Sequence, residues 1–231
     1  MLNPDSIHEI VLQTTELRRE YRLGRDIVTA LGGVDIEIKR GEFVAIMGPS
    51  GCGKSTLLNL LGGLDQPTAG RVMLDGNDLS HFNEEQLAKM RREKMGFVFQ
   101  RHDLFPVLTA RENIEFPMLL DGREPDFRCD HATQLLAQVG LADKADHLPD
   151  ELSGGQQQRI GLARSLANNP LILLADEPTG NLDSATAAEV MTMLIDLVRS
   201  AGLTLVMVTH DAESAERADR ILRLKDGKLI T

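Results

Sequence analysis

Aromatic side chains and cysteines are scarce in this chain of 231 residues. Aromatics make up 3% of the sequence, with no Trp and a single Tyr. The two cysteines, Cys52 and Cys129, have no metal-ligand spacing and are too few for a disulfide framework. We therefore expect two ordinary thiols in a reducing compartment.

Long apolar runs are also missing. No window reaches the roughly 18 apolar residues that a membrane helix requires. Residues 1–20 contain no cationic segment followed by an apolar stretch, which excludes a secretory leader there. The sequence predicts a cytosolic protein whose contact with a membrane comes only through a partner.

Positive charge is in deficit. Lys and Arg number 25 against 35 Asp and Glu, which gives a net charge of −10. Such a chain repels a phosphate backbone unless its cations are segregated on one face. We do not expect nucleic acid as a partner.

Strand and helix patterns alternate along the chain, which favours an α/β fold with a mostly parallel sheet. The last two predicted strands are nearly continuous apolar runs, typical of strands covered on both faces. The predicted strands are 10–17, 36–38, 43–47, 71–74, 96–99, 171–175 and 203–208, and the predicted helices are 54–64, 109–120, 130–138, 156–167 and 185–200.

We predict a single domain, 1–231, with an α/β core. The core takes residues 1–100 and 161–231 and includes an N-terminal antiparallel β region. The middle of the chain is rich in helical patterns and poor in β-branched residues, so residues 101–160 are expected to form an inserted α-helical subdomain.

A glycine-rich segment follows the predicted strand 43–47 and opens a predicted helix, in the pattern GxxxxGK[ST]. Its backbone N–H groups would face phosphates, Lys54 would add charge at the β and γ groups, and the Ser55 hydroxyl would hold Mg²⁺. The pattern predicts a P-loop NTPase core with ATP and Mg²⁺ as ligands; a structural glycine turn is the alternative. The expected nucleotide contacts are Gly48, Pro49, Ser50, Gly51, Cys52, Gly53, Lys54, Ser55 and Thr56.

Two carboxylates follow the apolar strand 171–175, at the strand end where open α/β sheets bind ligands. Asp176 is expected to hold Mg²⁺ and Glu177 to polarise the water that attacks the γ-phosphate. Two acids after a strand can also cap a helix or lie in a solvated turn.

The segment Leu-Ser-Gly-Gly-Gln at 152–156 precedes a predicted helix and forms a second possible anion nest. Ser153, Gly155 and Gln156 would then close over the nucleotide of a neighbouring copy, giving a symmetric homodimer with two shared sites. A generic glycine-containing helix start has the same pattern.

With these motifs the chain resembles the nucleotide-binding subunit of an ATP-binding-cassette (ABC) transporter over nearly its whole length. The resemblance implies that Tyr21 stacks on adenine and that Gln100 contacts Mg²⁺ or the attacking water. It also implies that Asp183 lies across the dimer contact and that His210 reaches the γ-phosphate. The expected catalytic residues are thus Lys54, Gln100, Glu177 and His210, and the expected Mg²⁺ ligands are Ser55, Gln100 and Asp176.

Residues 61–65 and 175–183 further resemble the branch that contains lipoprotein-release, macrolide-export and cell-division ATPases. This resemblance implies a homodimer in the ATP-bound state, an integral membrane permease as partner, and a peripheral location on the cytoplasmic face of the inner membrane. Its work would be export, lipoprotein release or mechanotransmission. The substrate is not encoded here, because substrate contacts belong to the membrane subunit.

Three other functions are alternatives to the transporter subunit, and the sequence disfavours the last two. One is an ABC ATPase that regulates a cell-division or cell-wall hydrolase complex without transport. A DNA-repair or translation cassette would need a long coiled-coil insertion or a second cassette, and a P-loop kinase would have no use for the 152–156 motif.

For the transporter subunit we expect residues 100–106, the switch segment, to accept a coupling helix of the permease, because Leu104 and Phe105 are apolar in an otherwise polar loop.

Overall fold

A computed structural model describes residues 10–100 and 103–230, and the chain divides into two compact units. The first takes Met1–Arg91 and Gly202–Thr231, and the second takes Arg92–Ala201. Residues 1–9, which are part of the segment expected to lack a leader, lie outside the described residues, as do Arg101 and His102 of the switch segment. The unit boundaries differ from the predicted subdomain at 101–160, which stays a prediction.

Strands and helices alternate in the predicted order. In chain order the elements are β1 (Ile10–Leu23), β2 (Asp26–Lys39), β3 (Phe43–Met47), α1 (Lys54–Leu61), β4 (Ala69–Leu74), β5 (Asn77–Asp78), α2 (Glu84–Lys94), β6 (Met95–Val98), α3 (Ala110–Leu120), α4 (Pro125–Gln138), α5 (Gly154–Leu166), β7 (Ile172–Asp176), α6 (Ser184–Ala201), β8 (Thr204–Thr209), α7 (Ala212–Glu216), β9 (Arg220–Lys225) and β10 (Lys228–Ile230). Among the helices of the described residues, none has both the length and the apolar character that a bilayer span requires.

The first unit contains an antiparallel region and a parallel region. Strand β1 pairs antiparallel with β2 and β4, and β4 pairs antiparallel with β5. This region confirms the predicted N-terminal antiparallel β region. Strand β3 pairs parallel with both β8 and β9, and β10 turns back antiparallel onto β9. Both β3 and β8 are almost wholly buried, as their continuous apolar sequences predict.

The second unit is mainly helical. Its strands β6 and β7 pair parallel, with Val98 opposite Ala175 at their carboxyl ends. Helices α3, α4 and α5 pack on one another, and α6 packs on α5. Helix α6 buries Val190, Met191 and Leu194 along one stripe, at the helical spacing of the sequence.

Several elements were not predicted because little apolar surface marks them. Helix α2 buries only Leu87 and Met90, and the rest of it is strongly charged. Strands β1 and β2 extend beyond the predicted ranges as a ribbon that is exposed from Asp26 to Thr29. Hydrogen bonding between the two strands stabilises that part of the ribbon, and neither face of it is buried. The sequence there therefore shows no alternation of apolar and polar residues.

Candidate functional site

The predicted site residues divide between the two units. Tyr21, the phosphate loop and His210 lie in the first unit, and the other predicted residues lie in the second. In the phosphate loop Lys54 and Cys52 are buried, Thr56 is half-buried, and Pro49, Ser50, Gly51 and Ser55 are exposed. The second-unit residues are Gln100, Ser153, Gly155, Gln156, Asp176, Glu177 and Asp183.

The phosphate loop joins β3 to α1 in a closed turn. Lys54 is only 7% exposed, and its Nζ donates to the carbonyl oxygens of Gly48 at 2.9 Å and Pro49 at 3.0 Å. These bonds hold the ammonium group over the loop that precedes it. An ammonium has three donors, so one N–H remains for a phosphate oxygen after the two bonds within the described residues.

The N-terminus of α1 fits an anionic ligand. Gly53 precedes the helix with φ at 104°, a left-handed conformation that a side chain would strain, and a Cβ there would collide with the Ala30 carbonyl oxygen. Within the described residues no side chain caps this end. The first N–H groups of a helix lack intrahelical acceptors, so this end and the Lys54 ammonium suit the phosphates of a nucleotide.

Strand pairing brings His210 to the same edge of the sheet as the phosphate loop. Met47 and Thr209 are register partners in the parallel strands β3 and β8, so Gly48 and His210 leave neighbouring strand ends. Asp211 follows and caps α7 by accepting from the Ser214 N–H at 2.9 Å. Hydrogen bonding with the side chain and backbone of Ser214 lowers the pKa of Asp211 below its ordinary value. An ionised carboxylate therefore lies beside His210.

The Tyr21 ring is held by two neighbours in the first unit. Its hydroxyl donates to Asp65 Oδ2 at 2.8 Å, and the Arg19 guanidinium carbon lies 4.6 Å from the ring centroid. One face of the ring is therefore covered by a cation. The predicted adenine stack would have to use the other face.

In the second unit the two carboxylates stand at the carboxyl end of β7. Asp176 ends the strand, and Glu177 follows with φ at 45°, in the left-handed region that non-glycine residues rarely adopt. The Gly180 N–H donates to the Glu177 carbonyl at 3.0 Å and closes the turn. Backbone strain of this kind costs about 1–3 kcal/mol and concentrates at functional sites. No sequence signal indicated it.

Gln100 lies beside the same strand ends, because Val98 is the register partner of Ala175. Its Nε2 donates to Asn181 Oδ1 at 3.3 Å, and Asn181 Nδ2 donates to the Gln100 carbonyl at 3.0 Å. One bond thus joins the two side-chain amides, and the other joins the Asn181 side chain to the Gln100 backbone. Sequence reasoning gave Asn181 no role, since the pair spans 81 positions.

Gln158 is a second residue that sequence reasoning missed. It is 1% exposed, and its Nε2 donates to the carbonyl oxygens of Phe99 and Pro178. One side chain of α5 therefore fastens the loops that follow β6 and β7. An amide on the apolar face of a predicted helix was the available signal, because a buried amide must find hydrogen-bond partners.

The 152–156 motif forms the start of α5. Ser153 is the N-cap: its hydroxyl accepts from the Gln156 N–H at 3.3 Å, and the Gln156 side chain accepts from the Ser153 N–H at 2.9 Å. Asp183 likewise precedes α6 and accepts from the Thr186 N–H at 3.1 Å. Hydrogen bonding with Thr186, through its side chain and its backbone, lowers the pKa of Asp183.

Gly155 is buried where α5 approaches the start of α6, and a Cβ on Gly155 would collide with Thr186 Cγ2. We expect Gly155→Ala to lower the free energy of unfolding by about 1–3 kcal/mol through overpacking. Thr186→Ser removes the colliding methyl group and should restore most of that loss. Urea unfolding followed by circular dichroism measures both effects. The matched control is Gly154→Ala at the exposed neighbouring position, and equal stability of the two alanine variants would contradict the collision.

The chain is similar in sequence to known proteins. A sequence model described as ABC transporter matches residues 31–180. The uncharacterized ABC transporter ATP-binding protein YknY of Bacillus subtilis is 43% identical over 220 residues, which cover 95% of each chain. The macrolide export ATP-binding/permease protein MacB of Marinobacter nauticus is 46% identical over 220 residues, which are 95% of this chain and 34% of MacB.

A solved structure extends the similarity to the fold. The dimeric, post-hydrolysis state of the ATP-binding cassette MJ0796, bound to ADP and Pi, superposes with a TM-score of 0.88 at 45% identity. The match covers 95% of this chain and 97% of that chain, and MJ0796 comes from Methanocaldococcus jannaschii. The predicted α/β fold with a P-loop core is confirmed. The chain therefore belongs to the ABC transporter family, as an ATP-binding and ATP-hydrolysing cassette.

Proposed function

We propose that two copies of this chain close on two Mg·ATP and that hydrolysis drives an integral membrane permease from the cytoplasmic face of the inner membrane. The observation that carries this proposal is that one chain has two glycine-containing helix starts whose geometry suits an anion. Helix α1 begins behind the phosphate loop, and α5 begins at the Ser153 cap. One nucleotide needs one phosphate cradle, so the second cradle suits the nucleotide of a neighbouring copy.

The Ser153 hydroxyl is suited to that second task. In the capping box its oxygen accepts an N–H from Gln156, which leaves the hydroxyl proton for another acceptor. A γ-phosphate oxygen of the partner's nucleotide is such an acceptor. The dimeric structure of MJ0796 supports closure of two cassettes in this family.

The predicted metal ligands have the chemistry that Mg²⁺ requires. The Ser55 hydroxyl, the Asp176 carboxylate and the Gln100 amide all offer oxygen, which Mg²⁺ prefers, and Mg²⁺ is usually held by one or two carboxylates together with substrate phosphates. When bound, it would neutralise charge on the phosphate oxygens. Asp176 would supply the carboxylate.

The remaining proposed roles follow from charge. Lys54 would bind the β- and γ-phosphates, Glu177 would take a proton from the attacking water, and His210 would donate to the γ-phosphate. Binding of two Mg·ATP would hold the copies together, and loss of the γ-phosphate would remove the charge that held them. The copies would otherwise repel, since each carries a net charge of −10.

A docking surface for the permease is proposed in the second unit. Buried Asn113 accepts from the Phe105 N–H at 2.8 Å and donates to the Leu108 carbonyl at 2.9 Å, which fixes the end of the switch segment. The Phe105 ring packs on Phe116 with centroids 4.6 Å apart, yet Phe105 stays 41% exposed and Val107 81% exposed. A rigid, exposed apolar surface of this kind suits a coupling helix.

Phe105→Glu tests the permease part of the proposal. We expect the ATPase rate of the isolated chain to change by less than about twofold, and recovery of the permease from detergent-solubilised membranes to fall at least about tenfold, the loss expected of an interface hot spot. Ile230→Glu, at a residue that is 46% exposed in β10, is the matched control. Unchanged ATPase activity together with unchanged permease recovery would rule out this docking surface.

A further inference from the structure

Asp65 binds two residues of β1 at once. Its carboxylate receives Arg19 Nε at 2.9 Å and Arg19 Nη2 at 2.7 Å, and it also accepts the Tyr21 hydroxyl at 2.8 Å. The side chains of Arg19 and Asp65 are each 23% exposed, so the fork of two parallel bonds is partly shielded from water. Paired bonds of this kind fix both distance and direction.

Arg19 in turn restrains the Tyr21 ring. Its guanidinium lies over one face, 4.6 Å from the ring centroid, while Asp65 holds the hydroxyl at the ring's far end. Rotation of the ring about either side-chain torsion would break one of these contacts. Tyr21 therefore has a fixed orientation with one face covered.

Asp65 is itself anchored at both of its flanks. The backbone N–H groups of Leu64 and Asp65 donate to the Asn59 carbonyl, at 2.8 and 3.4 Å, at the carboxyl end of α1. Three residues on, the Thr68 N–H donates to the Arg18 carbonyl at 2.9 Å, and the Thr68 hydroxyl accepts from the Glu20 N–H at 3.0 Å. Through α1, the helix that begins at the phosphate loop, Tyr21 is thus linked rigidly to the phosphate-binding end of the first unit.

We propose that Asp65 is a positioning residue for the nucleotide base: together with Arg19 it holds the Tyr21 ring so that the face opposite Arg19 receives the purine. The inference rests on the proposed stacking of Tyr21 on adenine. It assigns a role to Asp65 and Arg19. It also implies that the Tyr21 hydroxyl bonds Asp65 within the protein and not the base. Binding of the base then costs no conformational entropy of the Tyr21 side chain, because that side chain is already immobile.

Binding of Mg·ADP and of Mg·pyrophosphate, measured by calorimetry, separates base contacts from phosphate contacts without hydrolysis. We expect Asp65→Ala to lower the affinity for Mg·ADP about 3- to 10-fold, because the free-energy cost of ordering one or two side chains corresponds to that range. The affinity for Mg·pyrophosphate should not change. In turnover assays the KM for ATP should rise with kcat unchanged. In a Tyr21→Ala background, Asp65→Ala should cause no further loss of affinity for Mg·ADP.

Two further variants control for general loosening of the segment. Thr68→Ala removes the hydroxyl that accepts the Glu20 N–H but keeps the side chains of Asp65, Arg19 and Tyr21, and it should leave ADP affinity within about twofold. Tyr21→Phe keeps the ring and the Arg19 contact but loses the hydroxyl tether, so its affinity should lie between those of wild type and Asp65→Ala.

The outcomes that overturn the inference differ from those that overturn the proposed function. The positioning role would be wrong if Asp65→Ala lowered the affinities for Mg·ADP and Mg·pyrophosphate equally. It would also be wrong if Asp65→Ala lowered the ADP affinity further in the Tyr21→Ala background. Either result would mean that Asp65 acts through the phosphate loop. Unchanged ADP affinity in Asp65→Ala beside a weakened Tyr21→Ala would overturn the positioning role alone. Full ADP affinity in Tyr21→Ala would remove the stacking role of Tyr21 and the role of Asp65 with it.

Discussion

Glu177→Gln is expected to lower the ATP turnover rate about 10²- to 10⁴-fold, the usual contribution of a general base, while ATP binding persists. The amide has nearly the shape of the carboxylate but cannot take a proton from water at neutral pH. Glu177 sits directly after β7 with φ at 45°, and Gln carries the same backbone cost, so the turn should keep its conformation. A coupled ATPase assay and calorimetric titration with Mg·ATP measure turnover and binding separately.

Glu189→Gln is the matched control for this experiment. Glu189 lies on the exposed surface of α6 and pairs with Arg159 at 2.8 Å, so its loss removes one acidic charge of the same unit without touching the strand ends. Its turnover should stay within about twofold of wild type. Turnover of Glu177→Gln within tenfold of wild type would mean that another group accepts the proton.

Lys54→Ala is expected to weaken binding of Mg·ATP at least about 100-fold and to abolish measurable turnover. The Lys54 ammonium closes the phosphate loop through the Gly48 and Pro49 carbonyls, and bonds from a charged donor contribute about 1.5–3 kcal/mol each. Alanine removes both the loop closure and the charge that we propose faces the phosphates. Equilibrium binding of a fluorescent ATP analogue measures the loss.

Lys54→Arg separates charge from shape. Arginine keeps the positive charge, but its planar fork does not reproduce the geometry of an ammonium group, so affinity should still fall by more than tenfold. Lys225→Ala, at an exposed residue of β9, controls for the loss of one cation. Tight ATP binding by Lys54→Ala would contradict the assignment of residues 48–56 as the nucleotide cradle.

Much of the fold follows from local patterns. Strands β3, β7 and β8 are short continuous apolar runs, and because each is buried on both faces its sequence alone marks it within about a residue. The phosphate loop and the carboxylates follow such strands directly, so their placement at strand ends could also be predicted. Helix α2 and the exposed ribbon of β1 and β2 could not, because they bury too little apolar surface to leave a period.

The contacts around the site residues were beyond sequence reasoning. Asp65 meets Tyr21 across 44 positions, Gln100 meets Asn181 across 81, and Gln158 reaches Phe99 across 59. Such polar contacts depend on tertiary packing and have no spacing in the chain that would indicate them. The left-handed backbone conformation of Glu177 could not be predicted from the sequence for the same reason, since its surroundings hold a glutamate in that conformation.

Gel filtration of Glu177→Gln with Mg·ATP tests the central claim most directly. We predict that this variant elutes as a dimer with nucleotide and as a monomer without it. Ser153→Arg in the same background should prevent the shift, because the bulky cation would occupy the start of α5, which we propose faces the partner's phosphates. Dimerisation of the double variant, or a monomer of Glu177→Gln with ATP bound, would contradict two nucleotide sites shared between two copies of the chain.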